Sequence, residues 1–166
     1  MVDQHQDWIR LCPAVVPFYA VKCNNDTPLL QTLAALGTGF DCASRAEIEQ
    51  GNTNKETKTM NNFDDFSLVL SLGVDPQKII FANPCKIKSH IEFARERGVS
   101  KMTFDDVHEM EKIKSIYPEA ELVLRFLPPP TKAVCNLGCK FGVVTERAPE
   151  LVKKAKDLDM NLIGVR

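Results

Sequence analysis

The apolar residues of the chain follow two spacings that alternate along its length. Short continuous apolar runs are typical of buried parallel strands, and apolar residues three or four positions apart are typical of amphipathic helices. The runs predict six strands, over residues 16–22, 39–42, 79–82, 102–104, 121–126 and 161–165. The helical spacing predicts helices between them, over residues 28–36, 45–49 continuing at 68–72, 87–97, 106–116 and 148–158.

Strands that alternate with helices indicate an α/β protein built from βαβ units around a mainly parallel sheet. An open doubly wound sheet and a (β/α)8 barrel share this order of elements. The chain contains no GxGxxG or Walker phosphate loop, which weighs against the first architecture. A complete barrel takes roughly 250 residues. We therefore predict that residues 1–166 form one incomplete TIM barrel domain with about six of the eight strands.

One stretch interrupts the alternation of strands and helices. Residues 50–67, QGNTNKETKTMNNFDDFS, are rich in Asn, Thr, Lys and Asp and show no clean apolar period. We interpret this stretch as a polar loop inserted into the second helix, because long surface insertions cost little loop-closure entropy.

The composition of the chain mainly excludes classes of partner and site. The chain has 21 basic and 22 acidic residues and no basic stripe, so we expect neither nucleic acid nor an anionic membrane as a partner. No apolar stretch has the length of a membrane span and the first residues lack the layout of a signal peptide, so we expect a cytoplasmic location. The six cysteines form no CxxC pair and the three histidines share no ligand spacing, so we expect reduced thiols and no metal site.

Candidate chemistry lies at the predicted strand ends, since parallel α/β architectures carry functional side chains at the carboxyl ends of their strands. Those ends carry Lys22, then Asp41 with Ser44 and Glu47, then Asn83 with Cys85 and Lys86, then Asp105, and then Arg125. The apolar run PFYAVK ends at Lys22. An amine between low-dielectric walls and near another cation loses affinity for its proton and can form a Schiff base.

Each of these residues also has a plainer interpretation. A lysine that ends a strand commonly extends its ammonium group to water. The S-x-x-E sequence that begins at Ser44 is a capping box, and Asp105 or Asp106 can cap the following helix. If Arg125 points away from the barrel interior, it needs no ligand. If it points into the barrel, its guanidinium group must bind an anion or carbonyl groups.

Several segments are, in this order, similar to the eukaryotic ornithine decarboxylase family: PFYAVKCN, LAALGTGFDCAS, ANPCK, MTFD, LVLR and KAVCNLGCKFG. They span about residues 14–166 apart from the insertion, which has no counterpart in the family. The resemblance implies a lyase that uses pyridoxal phosphate to decarboxylate ornithine to putrescine in polyamine biosynthesis. It also implies a barrel of the alanine-racemase type and a separate C-terminal β domain, which we expect to be absent from these 166 residues.

The resemblance also assigns roles to individual residues. Lys22 matches the family lysine that binds the cofactor's aldehyde. The other matched positions are the cofactor-lining Asp41, Glu47 and Arg125, and Asp105 and Lys140, which form salt bridges across the interface of a homodimer. Glu47 would then both cap a helix and serve the site.

The resemblance sets further expectations about activity and partners. In the family, other cofactor and substrate groups follow the position of Arg166, so we expect these 166 residues alone to bind the cofactor poorly and not to turn over substrate. The choice among ornithine, arginine and lysine stays open. The alternative is a non-catalytic antizyme inhibitor, but retention of Asp41 favours the enzyme. Residues 88–112 resemble the antizyme-docking surface, and Glu92 in place of a family lysine weighs against that contact.

Overall fold

The computed structural model describes residues 1–43, 65–127 and 141–166 of the chain. The predicted helix at 45–49 and most of the predicted insertion lie outside these ranges. The strands are β1 (Phe18–Ala20), β2 (Gly39–Cys42), β3 (Ile79–Phe81), β4 (Lys101–Phe104), β5 (Glu121–Leu124) and β6 (Asn161–Val165). The helices are α1 (Val2–Leu11), α2 (Thr27–Ala35), α3 (Asp65–Ser71), α4 (Lys88–Glu96), α5 (Val107–Ile116) and α6 (Ala148–Asp157). Strands and helices alternate from β1 onward, as the sequence predicts.

The described residues form two compact units, Met1–Phe81 and Ala82–Arg166. In the first unit, β2 pairs in parallel with β1 and with β3. The register places Ala20 opposite Asp41, and all four residues of β2 are buried. Gly39 allows this pairing, because a Cβ atom there would lie 2.7 Å from the ring of Phe18.

In the second unit, β5 pairs in parallel with β4 and with β6. The register places Phe104 opposite Leu124, so β4 and β5 end side by side. Three of the four residues in each of these strands are buried, which fits the near-continuous apolar runs that parallel sheets require. Helices α4, α5 and α6 bury apolar residues at helical spacing, among them Ile91, Ile113 and Leu151.

The helix boundaries follow from local sequence. Gly37, Gly73 and Gly98 have φ values of 83°, 76° and 74° and follow α2, α3 and α4, which confirms the helix ends predicted from glycine. Helix α5 begins after Asp106, whose Oδ1 accepts a hydrogen bond of 2.8 Å from the backbone N–H of His108. Among the described residues no helix combines the length and the hydropathy that crossing a bilayer requires.

Some boundaries differ from the predictions. The predicted strand 16–22 is shorter, since β1 ends at Ala20 and residues 21–23 form a 3-10 turn. The prediction for 121–126 extends two residues too far, because β5 ends at Leu124. Helix α1 was not predicted, and it buries none of its residues. Residues 65–67, which we placed in the insertion, belong to α3.

Candidate functional site

In the first unit, a lysine and an aspartate lie at the carboxyl ends of neighbouring strands. Lys22 is exposed, in the 3-10 turn Val21–Cys23 that follows β1. Asp41 is buried in β2, with 5% of its surface exposed, and its register partner Ala20 lies two residues before Lys22. The structure therefore places Lys22 and Asp41 at the carboxyl ends of the paired strands β1 and β2.

The turn that carries Lys22 is closed by a hydrogen bond that the sequence did not predict. The hydroxyl of Tyr19 donates to the backbone oxygen of Asn24 over 3.1 Å, across the turn. The side chain of Asn24 in turn accepts from the backbone N–H of Asp26 over 3.0 Å. Burial is the main cause that raises the pKa of Tyr19 above that of an exposed tyrosine. The hydroxyl therefore keeps its proton and remains a hydrogen-bond donor up to a higher pH.

In the second unit, Asp105 and Arg125 follow neighbouring strands. The backbone N–H of Arg125 donates to the oxygen of Phe104 over 2.8 Å, which places Arg125 beside the residue before Asp105. The guanidinium carbon of Arg125 lies 5.2 Å from the ring centroid of Phe141, a cation–π distance. Oδ2 of Asp105 accepts a hydrogen bond of 2.7 Å from the backbone N–H of Gly142.

A buried ion pair joins the loop before α4 to α5 in the same unit. The ammonium group of Lys86 is 2.9 Å from Oε1 of Glu109, and their side chains are 0% and 5% exposed. The other oxygen, Oε2, pairs with the ammonium group of Lys112. Burial lowers the pKa of Lys86, while the carboxylate of Glu109 opposes that shift. The sequence analysis named Lys86 among the residues that follow strands but gave it no role. It did not name Glu109.

A sequence signal for Glu109 exists in hindsight. Glu109 precedes the buried Met110 and lies four residues before the buried Ile113, so it falls on the apolar face of α5. A carboxylate on a buried helix face requires a cationic partner. The sequence offers many lysines, and the spacing of the helix does not identify which of them is that partner.

Two predicted site residues, Glu47 and Lys140, lie outside the described residues, so their predicted roles stay predictions. Lys22 and Asp41 share one unit, and Asp105 and Arg125 share the other. Each pair lies at the carboxyl ends of adjacent parallel strands, the location that α/β folds use for ligands. The first unit has an exposed amine and a carboxylate on neighbouring strands, and the second has a carboxylate and a guanidinium on neighbouring strands. An accessible amine can bind an aldehyde, and a guanidinium can bind an anionic group.

Comparisons with known proteins identify the family. Residues 1–55 and 63–166 match the family described as "Pyridoxal-dependent decarboxylase, pyridoxal binding domain". The ornithine decarboxylase of Neurospora crassa is 45% identical over 162 residues, which are 98% of this chain and 30% of that protein. This chain therefore spans about a third of that relative's length.

Solved structures show the same likeness. The Paramecium bursaria Chlorella virus arginine decarboxylase bound to agmatine superposes with a TM-score of 0.83 and 36% identity, over 98% of this chain and 40% of that one. The structure of SrLDC in complex with PLP and cadaverine gives a TM-score of 0.75 and 31% identity, over 99% of this chain and 36% of that one.

The fold and the matched domain define the class: an α/β pyridoxal-binding domain with strands of the (β/α)8 barrel. The chain belongs to the pyridoxal-dependent decarboxylases, and its cofactor is pyridoxal phosphate. Within that family it is similar to the eukaryotic ornithine decarboxylases over nearly its whole length. These findings confirm the resemblance inferred from the motifs, and with it the barrel fold class.

Proposed function

We propose that the protein decarboxylates ornithine to putrescine, and that residues 1–166 supply the lysine that holds pyridoxal phosphate. The observation that carries this proposal is the position of Lys22 directly after the carboxyl end of β1, next to the strand that holds the buried Asp41. The likeness to ornithine decarboxylases supports ornithine as the substrate. The cytoplasmic location and the homodimer are parts of the same proposal.

The residues of this chain would divide the work at the cofactor. Bound pyridoxal phosphate supplies the electron sink for the loss of carbon dioxide. Lys22 would hold the cofactor's aldehyde through its amine, and it would be reachable because its side chain is exposed. Asp41 and Glu47 would orient groups around the ring, and Arg125 would bind an anionic oxygen with its planar fork of donors.

We assign Asp105 to the subunit interface. Its Oδ2 already accepts from Gly142 of the same chain, so a partner contact would use the other carboxylate oxygen. We propose that the ammonium group of Lys140 in a second copy supplies that contact. Chemical cross-linking of the wild-type chain and of Asp105→Asn tests this: we expect fewer cross-linked dimers for the variant, and equal amounts would refute the contact.

The role of Lys22 is tested by reducing the chain with borohydride in the presence of pyridoxal phosphate and mapping the labelled peptides. Reduction traps even a sparsely populated adduct, so the assay does not require tight binding. We expect the label on the peptide of Lys22, its loss in Lys22→Arg, and no change in Lys88→Arg, which alters an exposed lysine of the second unit. Label spread over other lysines, with none on Lys22, would refute the proposal.

The proposed substrate has its own control. Ornithine and lysine carry two primary amines and arginine carries one, so the extent to which each forms an adduct with pyridoxal phosphate is first measured in free solution. We expect ornithine to protect Lys22 from labelling more than its adduct formation in free solution accounts for. Protection no greater than adduct formation in free solution accounts for would refute binding of ornithine at Lys22.

A further inference from the structure

We propose that Lys86, held in place by Glu109, is a positioning residue for Arg125. This inference rests on the proposed function only in taking Arg125 to line the cofactor. All the contacts that carry it lie within the second unit. They run from the loop before α4 through the end of β4 to the residues that follow β5.

Lys86 holds the end of β4 through a side-chain hydrogen bond to its backbone. Its ammonium group donates to the backbone oxygen of Thr103 over 2.6 Å and to that of Asn83 over 3.1 Å. The third polar partner is Glu109 at 2.9 Å. Three directed contacts in a fully buried setting leave the ammonium one position, because a displaced donor would lose partners that water cannot replace there.

Glu109 makes the position of Lys86 depend on α5. Its Oε1 accepts from the backbone N–H of Lys86 over 3.1 Å in addition to pairing with the ammonium group. One carboxylate thus binds both ends of the same lysine. The loop before α4, the strand β4 and the helix α5 are therefore joined through a single buried pair.

The end of β4 positions the chain segment around Gly142. Asp105 follows Thr103 by two residues, and its carboxylate accepts from the N–H of Gly142 over 2.7 Å. A Cβ atom at Gly142 would lie 2.7 Å from the backbone nitrogen of Leu127 and 2.8 Å from the carbonyl of Phe126. Gly142 is therefore packed directly against the backbone of the residues that follow β5, and Asp105 holds it there.

The segment around Gly142 in turn contacts Arg125. The N–H of Val143 donates to the backbone oxygen of Arg125 over 2.9 Å, and the oxygen of Val143 accepts from the N–H of Leu127 over 2.9 Å. The ring of Phe141 lies under the guanidinium group at 5.2 Å. Both the backbone and the side chain of Arg125 are therefore placed by residues that Asp105 holds.

A buried ion pair could also serve the stability of the unit alone, and the two roles predict different results. Removing one partner of a buried pair destabilises a protein, whereas replacing both by apolar residues commonly restores the stability. If Lys86 positions Arg125, replacing both partners restores stability without restoring that position. The reason is that a chain without Lys86 still lacks the donor to the backbone oxygen of Thr103. The variants Lys86→Met and Lys86→Met with Glu109→Leu separate these roles.

The first readout is amide hydrogen exchange, which needs no cofactor. In Lys86→Met we expect the amides of Gly142 and Val143 to exchange at least about fivefold faster relative to those of β6, the size of typical couplings between neighbouring sites. Leu151→Ala is the matched control, because it removes buried side-chain volume from the same unit and Leu151 makes none of the hydrogen bonds or ion pairs described above. Exchange at Gly142 that is unchanged, or no faster than in Leu151→Ala, would overturn the inference.

The second readout is the fraction of Lys22 that borohydride traps with pyridoxal phosphate. We expect the double variant to be more stable than Lys86→Met, while its trapped fraction stays at least about fivefold below that of the wild-type chain. Recovery of trapping together with stability would overturn the positioning role. If the wild-type chain traps none at Lys22, the proposed function fails, and the exchange measurement still decides this inference.

Discussion

Replacing Gly142 with alanine tests the close backbone packing after β5. Gly142 has a φ of 113°, in a region that side chains of L-residues rarely occupy. A Cβ atom there would also lie 2.7 Å from the nitrogen of Leu127 and 2.8 Å from the carbonyl carbon and oxygen of Phe126. Backbone atoms cannot rotate aside as a flexible side chain can, so the segment itself must move.

The expected magnitude combines two costs. A residue with a side chain in this backbone region costs about 1–2 kcal/mol, and overpacking against fixed atoms costs about 1–3 kcal/mol more. We therefore expect Gly142→Ala to lower the free energy of unfolding by about 2–5 kcal/mol, a large share of the roughly 5–15 kcal/mol that typical domains have. The movement would also lengthen the hydrogen bond from Gly142 to Asp105.

Two other glycines separate these costs. Gly73 has a φ of 76°, and a Cβ atom added there would have no neighbour within 4 Å, so Gly73→Ala carries only the backbone cost of about 1–2 kcal/mol. Gly164 lies in β6 with open space and no positive φ, so Gly164→Ala should leave stability unchanged or slightly higher. Urea unfolding followed by circular dichroism measures all three. If Gly142→Ala costs no more than Gly73→Ala, the packing argument is refuted.

Two further predictions concern charged side chains. Asp106→Ala should lower the free energy of unfolding by about 1 kcal/mol in urea, because Asp106 caps α5, whereas Asp26→Ala should change it little, since Asp26 makes no side-chain capping bond. Lys154 lies 2.8 Å from Glu111 and holds the pKa of that carboxyl below its ordinary value, so carbon-detected NMR titration should show the pKa rising in Lys154→Met. A carboxyl with a depressed pKa stabilises the fold above its unfolded pKa and loses that contribution as the pH falls through its folded pKa. An unchanged pKa in Lys154→Met would contradict the assigned cause.

Much of the fold could be predicted because its elements are encoded locally. The bounds predicted for β2 and β6 agree with the structure residue for residue. Glycine after a helix requires no knowledge of distant residues, which is why three helix ends were predicted correctly. The apolar runs indicated parallel strands because burial on both faces leaves no polar alternation.

The missed features depend on contacts between distant parts of the chain or on turn geometry. Lys86 and Glu109 are 23 residues apart in the sequence, and no local spacing connects them. The end of β1 was placed two residues late, since the apolar run continues through Val21 while the backbone turns there. Helix α1 has an amphipathic sequence that the prediction overlooked, and it buries none of its residues.

Lys22 and Lys86 both follow strands, and they differ in the access that a ligand would have to the amine. Lys86 is surrounded by two carbonyl oxygens and a carboxylate, so all three of its donor directions have partners. Burial lowers its pKa, but an amine in that setting has neither access to an aldehyde nor room to move. Lys22 is exposed at the edge of its sheet, where a ligand can reach the nitrogen. Accessibility is therefore the ground on which we propose Lys22, rather than Lys86, as the amine that holds the cofactor, whereas Lys86 holds the protein's own backbone.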